Sequence, residues 1–544
     1  MNNKNNFSNN PIINTERSQF DRSSNHKTTF NAARLIPIYL DEILPGDTVQ
    51  IQTDAIIRTI TPITPVMDNM RADVFWFFVP NRLIWKNWNQ FMGENKTGAW
   101  TSTYDGQVPQ ITAPSSGWNI GSLADYLGLP IEKGNYSINH LPFRAYALIW
   151  NEWFRDQNFF QEAFFQTGDT TVAGNNNQSN YITDINTGGY VPKVMKQGDY
   201  FTTCLPSPQK GNIANILENI DLPVITKNAK QVRTEFEEPL QFVQWADGQI
   251  YNSVLTTGAT TGHLARSSIT PQTVNNSGMI PTNLYAKQTA INVNQFREAF
   301  QIQHLLEKDA RGGTRYTEII KSHFGVISPD ARQQRPEFLG GEQIPIRINQ
   351  VPQTSSTDST SPQGNTAAFS LTGASVGKIS KSFTEHGYIL GLMTVRQEHS
   401  YSQGIEKLWS RKTKYDYYWP ALANLGEQPV LNKELYLSGN TTTDEQVFGY
   451  NEAWADYRYK LNKITGRFRP ETTINLAIWH YGDKFTATPS LNTDFIKDTD
   501  QNIARTLALA TSNETHQFLV DIWYTATYTR AMPVYSIPGL IDHH

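Results

Sequence analysis

Gly373-Ala374-Ser375-Val376-Gly377 spells G-x-S-x-G, the pattern that presents a nucleophilic serine on a sharp turn between a strand and a helix. The helix matters because its N-terminus supports the oxyanion hole. Here the next residues, KISKSFTEHGYILG, read as loop and strand, so Ser375 lacks the element that the chemistry requires. The overlapping GASVGK is one residue short of a phosphate-binding loop, and Ile379 occupies the position that needs Ser or Thr. Asp498, Asp500 and Asn502 imitate the start of a calcium loop, but Ile503 replaces its glycine and Leu509 its bidentate glutamate. None of the 11 histidines stands in H-E-x-x-H or a comparable ligand spacing. His480, beside Trp479 in an expected strand, reads as a hydrogen-bonded core or interface residue. These residues imply no catalytic set, no metal centre and no cofactor.

A different chemistry is written in Arg411-Lys412-Thr413-Lys414-Tyr415-Asp416-Tyr417-Tyr418-Trp419. Cations interleaved with aromatics can hold a single strand, phosphates on the former and bases stacked on the latter. Arg, Tyr and Trp are also enriched where subunits meet, and that reading is favoured. Arg411, Lys412, Lys414, Tyr417 and Trp419 are therefore candidates for DNA contact or subunit interface. Arg458, Lys460, Lys463, Arg467 and Arg469 form a second basic run that reads as a solvated face.

The elements that must position these residues are mostly short and extended. TVQIQTDAIIRTI (48–60) alternates as a half-buried strand, and RADVFWFFVP (71–80) is a more fully apolar one. AAFSLTGASVG, SFTEHGYILGLMTVRQEHS (382–400), TINLAIWHYGDKF (473–485) and HQFLVDIWYTATYTRAMPV (516–534) read as further strands, and DYFTTCLPSPQKG (199–211) as a short one. Residues 81–92 predict a short helix, and Pro142 opens a helix through FRAYALIWNEWFRDQNFFQEAFF. Asp247-Gly248 closes a hairpin between LQFVQWA and QIYNSVL. Only 294–341 has a sustained helical period, with Asn294 as N-cap, a stop at Gly312-Gly313, and a second helix from Arg315 to His323 ending at Gly325. That stretch reads as a helical brace on a β-rich body, with Arg311, Arg315, Tyr316 and Arg335 as candidate subunit-interface residues.

Composition agrees. At 544 residues the chain is 38% hydrophobic, 18% charged and 12% aromatic, a polar, loop-rich balance with abundant contact-forming rings. Its formal net charge is −4, from 46 Lys and Arg against 50 Asp and Glu, whereas a protein coating nucleic acid unaided is normally basic. The single cysteine, Cys204, excludes an intrachain disulfide and fits folding in a reducing cytoplasm. No secretory signal and no membrane span are expected, since the longest apolar run, Val74 to Val79, is strand-length. Residues 1–33 carry four cations against two carboxylates and read as a flexible arm, too weakly basic to bind a genome. Residues 34–210 form the first part of a β-sandwich, 211–290 an inserted surface lobe, and 291–544 the brace and remainder.

Several long segments resemble the major capsid proteins of gokushoviruses, small single-stranded DNA phages of the Microviridae. They are RSQFDRSSNHKTTFN (17–31), PGDT (45–48), RADVFWFFVPNRLIW (71–85), NWNQFMGE (87–94), YFTTCLPSPQKG (200–211), the central DARGGTRYTEII, HFGV and RPEFLGG, then DYYWPALANLGEQPVLNKELY (416–436) and TRAMPVYSIPGLIDHH. The likeness is collinear over most of the chain and poor over 211–290. Gln333 and the final His544 depart from the pattern.

The resemblance implies a mainly β fold, an eight-stranded antiparallel jelly roll with long loop insertions and a few short helices. It implies a homo-oligomeric T=1 icosahedral shell around circular single-stranded DNA, shared with a small basic DNA-binding protein. It also implies that the 211–290 lobe, including Trp245, Asp247 and Gly248, faces outward where a bacterial host receptor could be met. The expected location is the virion, assembled in the host bacterial cytoplasm. The competing expectation is a carbohydrate-binding or hydrolytic β-sandwich with Ser375 as nucleophile.

Overall fold

The computed structural model describes residues 16–95, 104, 106–211, 293–358, 362–508 and 516–535, with short strands between 224 and 286. The chain divides into two compact units, Met1–Lys210 with Glu307–His544, and Gly211–Leu306.

Two antiparallel sheets make the core of the first unit. One comprises β1 (Ser18–Asp21), β2 (Ser24–Phe30), β4 (Thr48–Thr59), β7 (Thr372–Ser382) and β9 (Phe518–Arg530). Within it β9 lies between β4 and the row formed by β1 and β2, and β7 flanks β4. The other sheet has the order β6 (Glu337–Pro345), β5 (Met70–Pro80), β8 (Gly387–Gln397), β3 (Ile36–Ile43). From β2 onward the chain passes between the sheets in the winding of a jelly roll, with β5 and β6 adjacent in one sheet.

Alternation decides which face is buried. Along β4, Val49, Ile51, Ala55 and Ile57 are buried, while Gln52, Ile56 and Arg58 face outward. On β9, Phe518, Val520, Ile522, Tyr524 and Tyr528 point inward against them. A strand with one solvated face must alternate in this way. By contrast β5 and β8 are almost continuously apolar because both of their faces are covered. Trp76 reaches between the sheets, its ring 5.3 Å from that of Tyr39 and 6.2 Å from that of Tyr524. On the far face, Phe75 and Phe77 meet Phe154 and Trp153, just after α1 (Leu141–Ile149). Across the sandwich, the Tyr524 hydroxyl donates to the Ile38 carbonyl at 2.7 Å.

Several sequence expectations are corrected. Residues 18–30, read as part of a flexible arm, are strands along β9, in register from Ser18 opposite Arg530 to Phe30 opposite Phe518. Their polar composition hid them, because the stabilisation comes from ladder hydrogen bonds and only Phe30 is fully buried. The 81–92 helix is two single turns separated by extended Trp85. The helix opened by Pro142 is α-helical only to Ile149, continues as a wider helical turn over Trp150–Phe154, and ends at extended Arg155. There the Asn151 side chain exchanges two hydrogen bonds with the Ala163 backbone, 2.8 and 2.7 Å, and folds the chain back. Finally, 473–485 and 199–211 are turns and loops. In the former, Arg505 takes the carbonyls of Ala477, His480 and Gly482 that a neighbouring strand would have used.

The helical centre forms as α2 (Val293–Gly312) and α3 (Tyr316–Phe324). Asn294 lies inside the first turn of α2 and is not its cap. Gly325 ends α3 at φ +68°, a conformation that a Cβ disfavours. In the second unit, Phe242–Gln244 pairs with Ile250–Tyr251, Val243 opposite Ile250, a register two residues short of the one that an Asp247-Gly248 two-residue turn would set. Trp245, Asp247 and Gly248 lie outside the described residues.

Candidate interaction surface

The residues first tested for chemistry are occupied by structure. Ser375 sits within β7, opposite Asp54 on β4, and its hydroxyl accepts from Gln52 Nε2 at 3.2 Å. The strand continues to Ser382, so no turn exposes the serine and no helix follows it. Asp498 holds buried His399 at 3.1 Å, Asp500 pairs with Lys193 at 2.9 Å, and Asn502 donates to Asp483 at 3.1 Å. The calcium-like spacing thus serves a side-chain network. Among the described residues no group of His, Cys, Asp and Glu is placed to hold a metal ion. His480 is buried and hydrogen-bonded, with Nε2 2.7 Å from the Phe468 carbonyl and Nδ1 accepting from Gly482 N–H.

The basic and aromatic cluster lies in the long connection between β8 and β9, and the structure splits it. Arg411 faces inward. It forms an ion pair with Asp456, and its guanidinium lies 4.4 Å from the Tyr457 ring centre and 5.3 Å from that of Tyr417. Lys412 and Lys414 are exposed and make no ion pair among the described residues. Lys414 instead lies 5.0 Å from the Tyr415 ring centre.

A tight turn presents these lysines. The backbone N–H groups of Thr413 and Lys412 donate to Asp416 and hold its carboxyl below the usual range. Trp419 donates to the Lys414 carbonyl at 2.8 Å, which fixes the indole while half of it stays exposed. With Trp409 at 74% and Tyr415 at 66% exposure, and Tyr417, Tyr418 and Trp419 each about half exposed, this segment leaves much aromatic surface in solvent. Such a surface is large for a chain that stays alone in water.

The second basic run is mostly neutralised. Arg458 pairs with Glu452, and Lys460 and Lys463 both reach Glu406. The hydrogen bond from Lys463 is the main reason the Glu406 carboxyl titrates below its ordinary value. Arg469 donates to the Ser402 carbonyl at 2.8 Å and pairs with Glu471.

Of the brace residues, three are committed within the chain. Arg311 pairs with buried Glu427 at 2.7 Å and with Glu452 at 3.3 Å. Arg315 donates to the carbonyls of Asn151 and Arg155, 2.6 and 3.1 Å, and pairs with Glu318 at 3.2 Å. Arg335 pairs with Asp330 at 2.8 Å and lies 4.3 Å from the Trp153 ring centre. Tyr316 is the most exposed of the four, at 71%. At the other end of α3 and just beyond it, the apolar side chains of Phe324, Val326 and Ile327 are also exposed, Phe324 and Ile327 by 77% each.

Sequence reasoning missed Asp456, Tyr457, Glu427 and the His399 network. Their partners lie 45 to 116 residues away, and no local spacing announces them. The exposed run Phe324-Gly325-Val326-Ile327 had a usable signal, since apolar residues after a helix stop have no amphipathic face to hide on.

Residues 8–540 match the family described as "Capsid protein (F protein)". The chain is 41% identical over 544 residues to "Capsid protein VP1" of Bdellovibrio phage phiMH2K, covering 99% of this chain and 98% of that one. It is 41% identical over 523 residues to "Capsid protein VP1" of Spiroplasma virus 4, covering 95% and 94%. It is 38% identical to "Capsid protein VP1" of Chlamydia phage 1, covering 99% and 98%.

Proposed function

The chain belongs to the phage capsid protein (F protein) family, in its gokushovirus-type Microviridae branch, and from that premise we propose how it builds a shell. It is a structural protein of the virion and not an enzyme. Copies assemble into a T=1 icosahedral shell that encloses a circular single-stranded DNA genome, formed in the host bacterial cytoplasm.

The observation that carries this reading is the exposed aromatic and apolar surface on a chain whose own core is complete. Trp409, Tyr415 and Trp419 in the β8–β9 connection, and Tyr316, Phe324 and Ile327 beyond the brace, remain uncovered in the single chain. A closed shell repeats the same few contacts, so each can be weak while the whole is stable. The jelly roll supports the wall, and the long connections supply the contacting loops.

The net charge of −4 supports a division of labour at the genome. Phosphate neutralisation falls largely to a small basic protein or to cations, with Lys412 and Lys414 as local contributors from this chain. The 211–290 lobe, with Trp245, Asp247 and Gly248, is the candidate surface for a bacterial receptor.

Electron microscopy of purified particles tests the whole reading. Uniform icosahedral shells holding nuclease-resistant circular single-stranded DNA are expected. Open sheets, irregular aggregates or a stable monomer as the only product would overturn it.

A further inference from the structure

The solvated face of the five-stranded sheet is polar along most of its length, with Gln50, Gln52 and Asp54 on β4 and Asp521, Thr525 and Thr527 on β9. At one end it turns apolar. Ile56 and Leu519, each about half exposed, line a groove of about 560 Å³ together with Arg58, Ile120, Asp125 and His516. Alternation gives outward positions to water, yet large aliphatic side chains stand at these two and stay uncovered in the single chain. The facing wall is tied to the sheet: the Tyr126 hydroxyl donates to the Thr29 carbonyl at 3.0 Å, and Thr29 Oγ1 lies 2.7 Å from His516 Nδ1. The groove is therefore formed before anything enters it.

A matching projection stands at the end of α3. Gly325 stops the helix, its N–H bonded to the Lys321 carbonyl at 3.0 Å. The turn leaves Phe324, Val326 and Ile327 exposed on one short loop, and Pro329 stiffens the chain beyond it. The groove has room for a few side chains of this size. Charges around the two also match. Asp125 on the groove wall accepts the Gly121 N–H at 2.8 Å and pairs with no cation among the described residues. Lys321 and Arg332, before and after the projection, are exposed and likewise form no ion pair among the described residues. Arg58 lines the groove from β4, so the two walls differ in sign and set which way the projection enters. A nucleic acid strand fits less well, since its phosphates would meet Asp125 and Asp521.

We propose that Phe324, Val326 and Ile327 of one copy enter the groove between Ile56, Ile120 and Leu519 of a second copy. The proposal rests on the shell reading above and names the partner surface for one of its exposed apolar segments. Projection and groove are different surfaces of the same compact unit, so the contact is heterologous, and repeated about a rotation axis it closes a ring. Every copy then buries its projection and has its groove filled. Apolar anchors seated in a preformed groove are where the binding energy of an interface concentrates.

Crosslinking in particles under a mild oxidant tests it. Full-length subunits bearing Ile327→Cys alone are mixed and assembled with subunits bearing Leu519→Cys alone; both positions are exposed, and native Cys204 is buried. A disulfide-linked dimer is expected from the mixture and from neither variant by itself. Charge rescue is the second measurement. Ile327→Asp and Leu519→Lys should each lower assembly, followed by light scattering, about tenfold or more, and the two in one chain should restore most of it. Intact shells without the crosslink, a disulfide from one variant alone, or single charge variants that assemble normally overturn the contact while leaving the shell reading intact. So does a double variant that fails as its parents do. A Leu519→Cys thiol shielded from maleimide only when DNA or a basic peptide is present gives the groove to that occupant and also overturns the contact. Wild-type subunits that never form shells overturn the shell reading, and the contact with it.

Discussion

His399 and Asp483 form an ion pair inside the protein, Nδ1 to Oδ2 at 2.8 Å, although 84 residues separate them. Both side chains are more than nine-tenths buried, and Asp498 holds the other ring nitrogen at 3.1 Å. Burial alone would push the imidazole down. The two carboxylates outweigh it and raise the group to about 9, while His399 in turn keeps Asp483 below the ordinary carboxylate range despite burial. The pair ties the end of β8 to two stretches of the β8–β9 connection that share no strand with it.

The pH dependence follows from the direction of that shift. Because the folded value lies above the ordinary 6.5, the stabilisation is fully present below about 6.5 and is lost as pH rises through about 9. Its size is about 3 kcal/mol. Urea denaturation of unassembled subunits should show stability falling between pH 7 and 10, and His399→Leu should flatten that fall. The variant should also be destabilised by about 3–5 kcal/mol at pH 7, since two buried carboxylates then face each other unpaired.

The cations of the 411–414 turn should separate by role. Lys412→Ala with Lys414→Ala should leave subunit stability within about 0.5 kcal/mol, as exposed substitutions usually do. The same pair should lower the DNA retained in assembled particles, measured by absorbance ratio after nuclease treatment. Arg411→Ala should instead destabilise the subunit by about 2 kcal/mol, because Asp456 is left with little access to water.

Tyr316, Phe324 and Ile327 should matter to assembly and not to folding. Replacing Phe324 and Ile327 by Ser should leave the melting temperature of the subunit unchanged or slightly raised. Concentration-dependent light scattering should show assembly reduced or lost. Normal shells from this variant would place the contact elsewhere.

Arg315 should behave in the opposite way. Its guanidinium satisfies the Asn151 and Arg155 carbonyls at the wide turn after α1 and pairs with Glu318 in the first turn of α3. Arg315→Ala should cost about 2–3 kcal/mol, since partly buried acceptors lose their donors. Hydrogen exchange should speed up in 150–155 and 316–324 before it does in the sheets.

Local sequence determined the elements that carry a period. β4 and β9 alternate because one face meets the core and the other water, and α2 and α3 repeat at three and four residues and stop at glycines. Those patterns are written within ten to twenty residues and can be read there, as can the family likeness in its long collinear segments. The polar strands β1 and β2 could not be read, because what holds them is the edge of β9, roughly 490 to 510 residues away. The 473–485 run looked like a strand until Arg505 claimed its carbonyls.

The candidate surface divides in the same manner. Its residue types were legible, but which of them faces out was not. Only the folded chain turns Arg411 toward Asp456 and leaves Lys412, Lys414 and Trp419 in the open. Orientation and pairing of charged side chains depend on partners brought close by the whole chain path, and no local spacing carries that information.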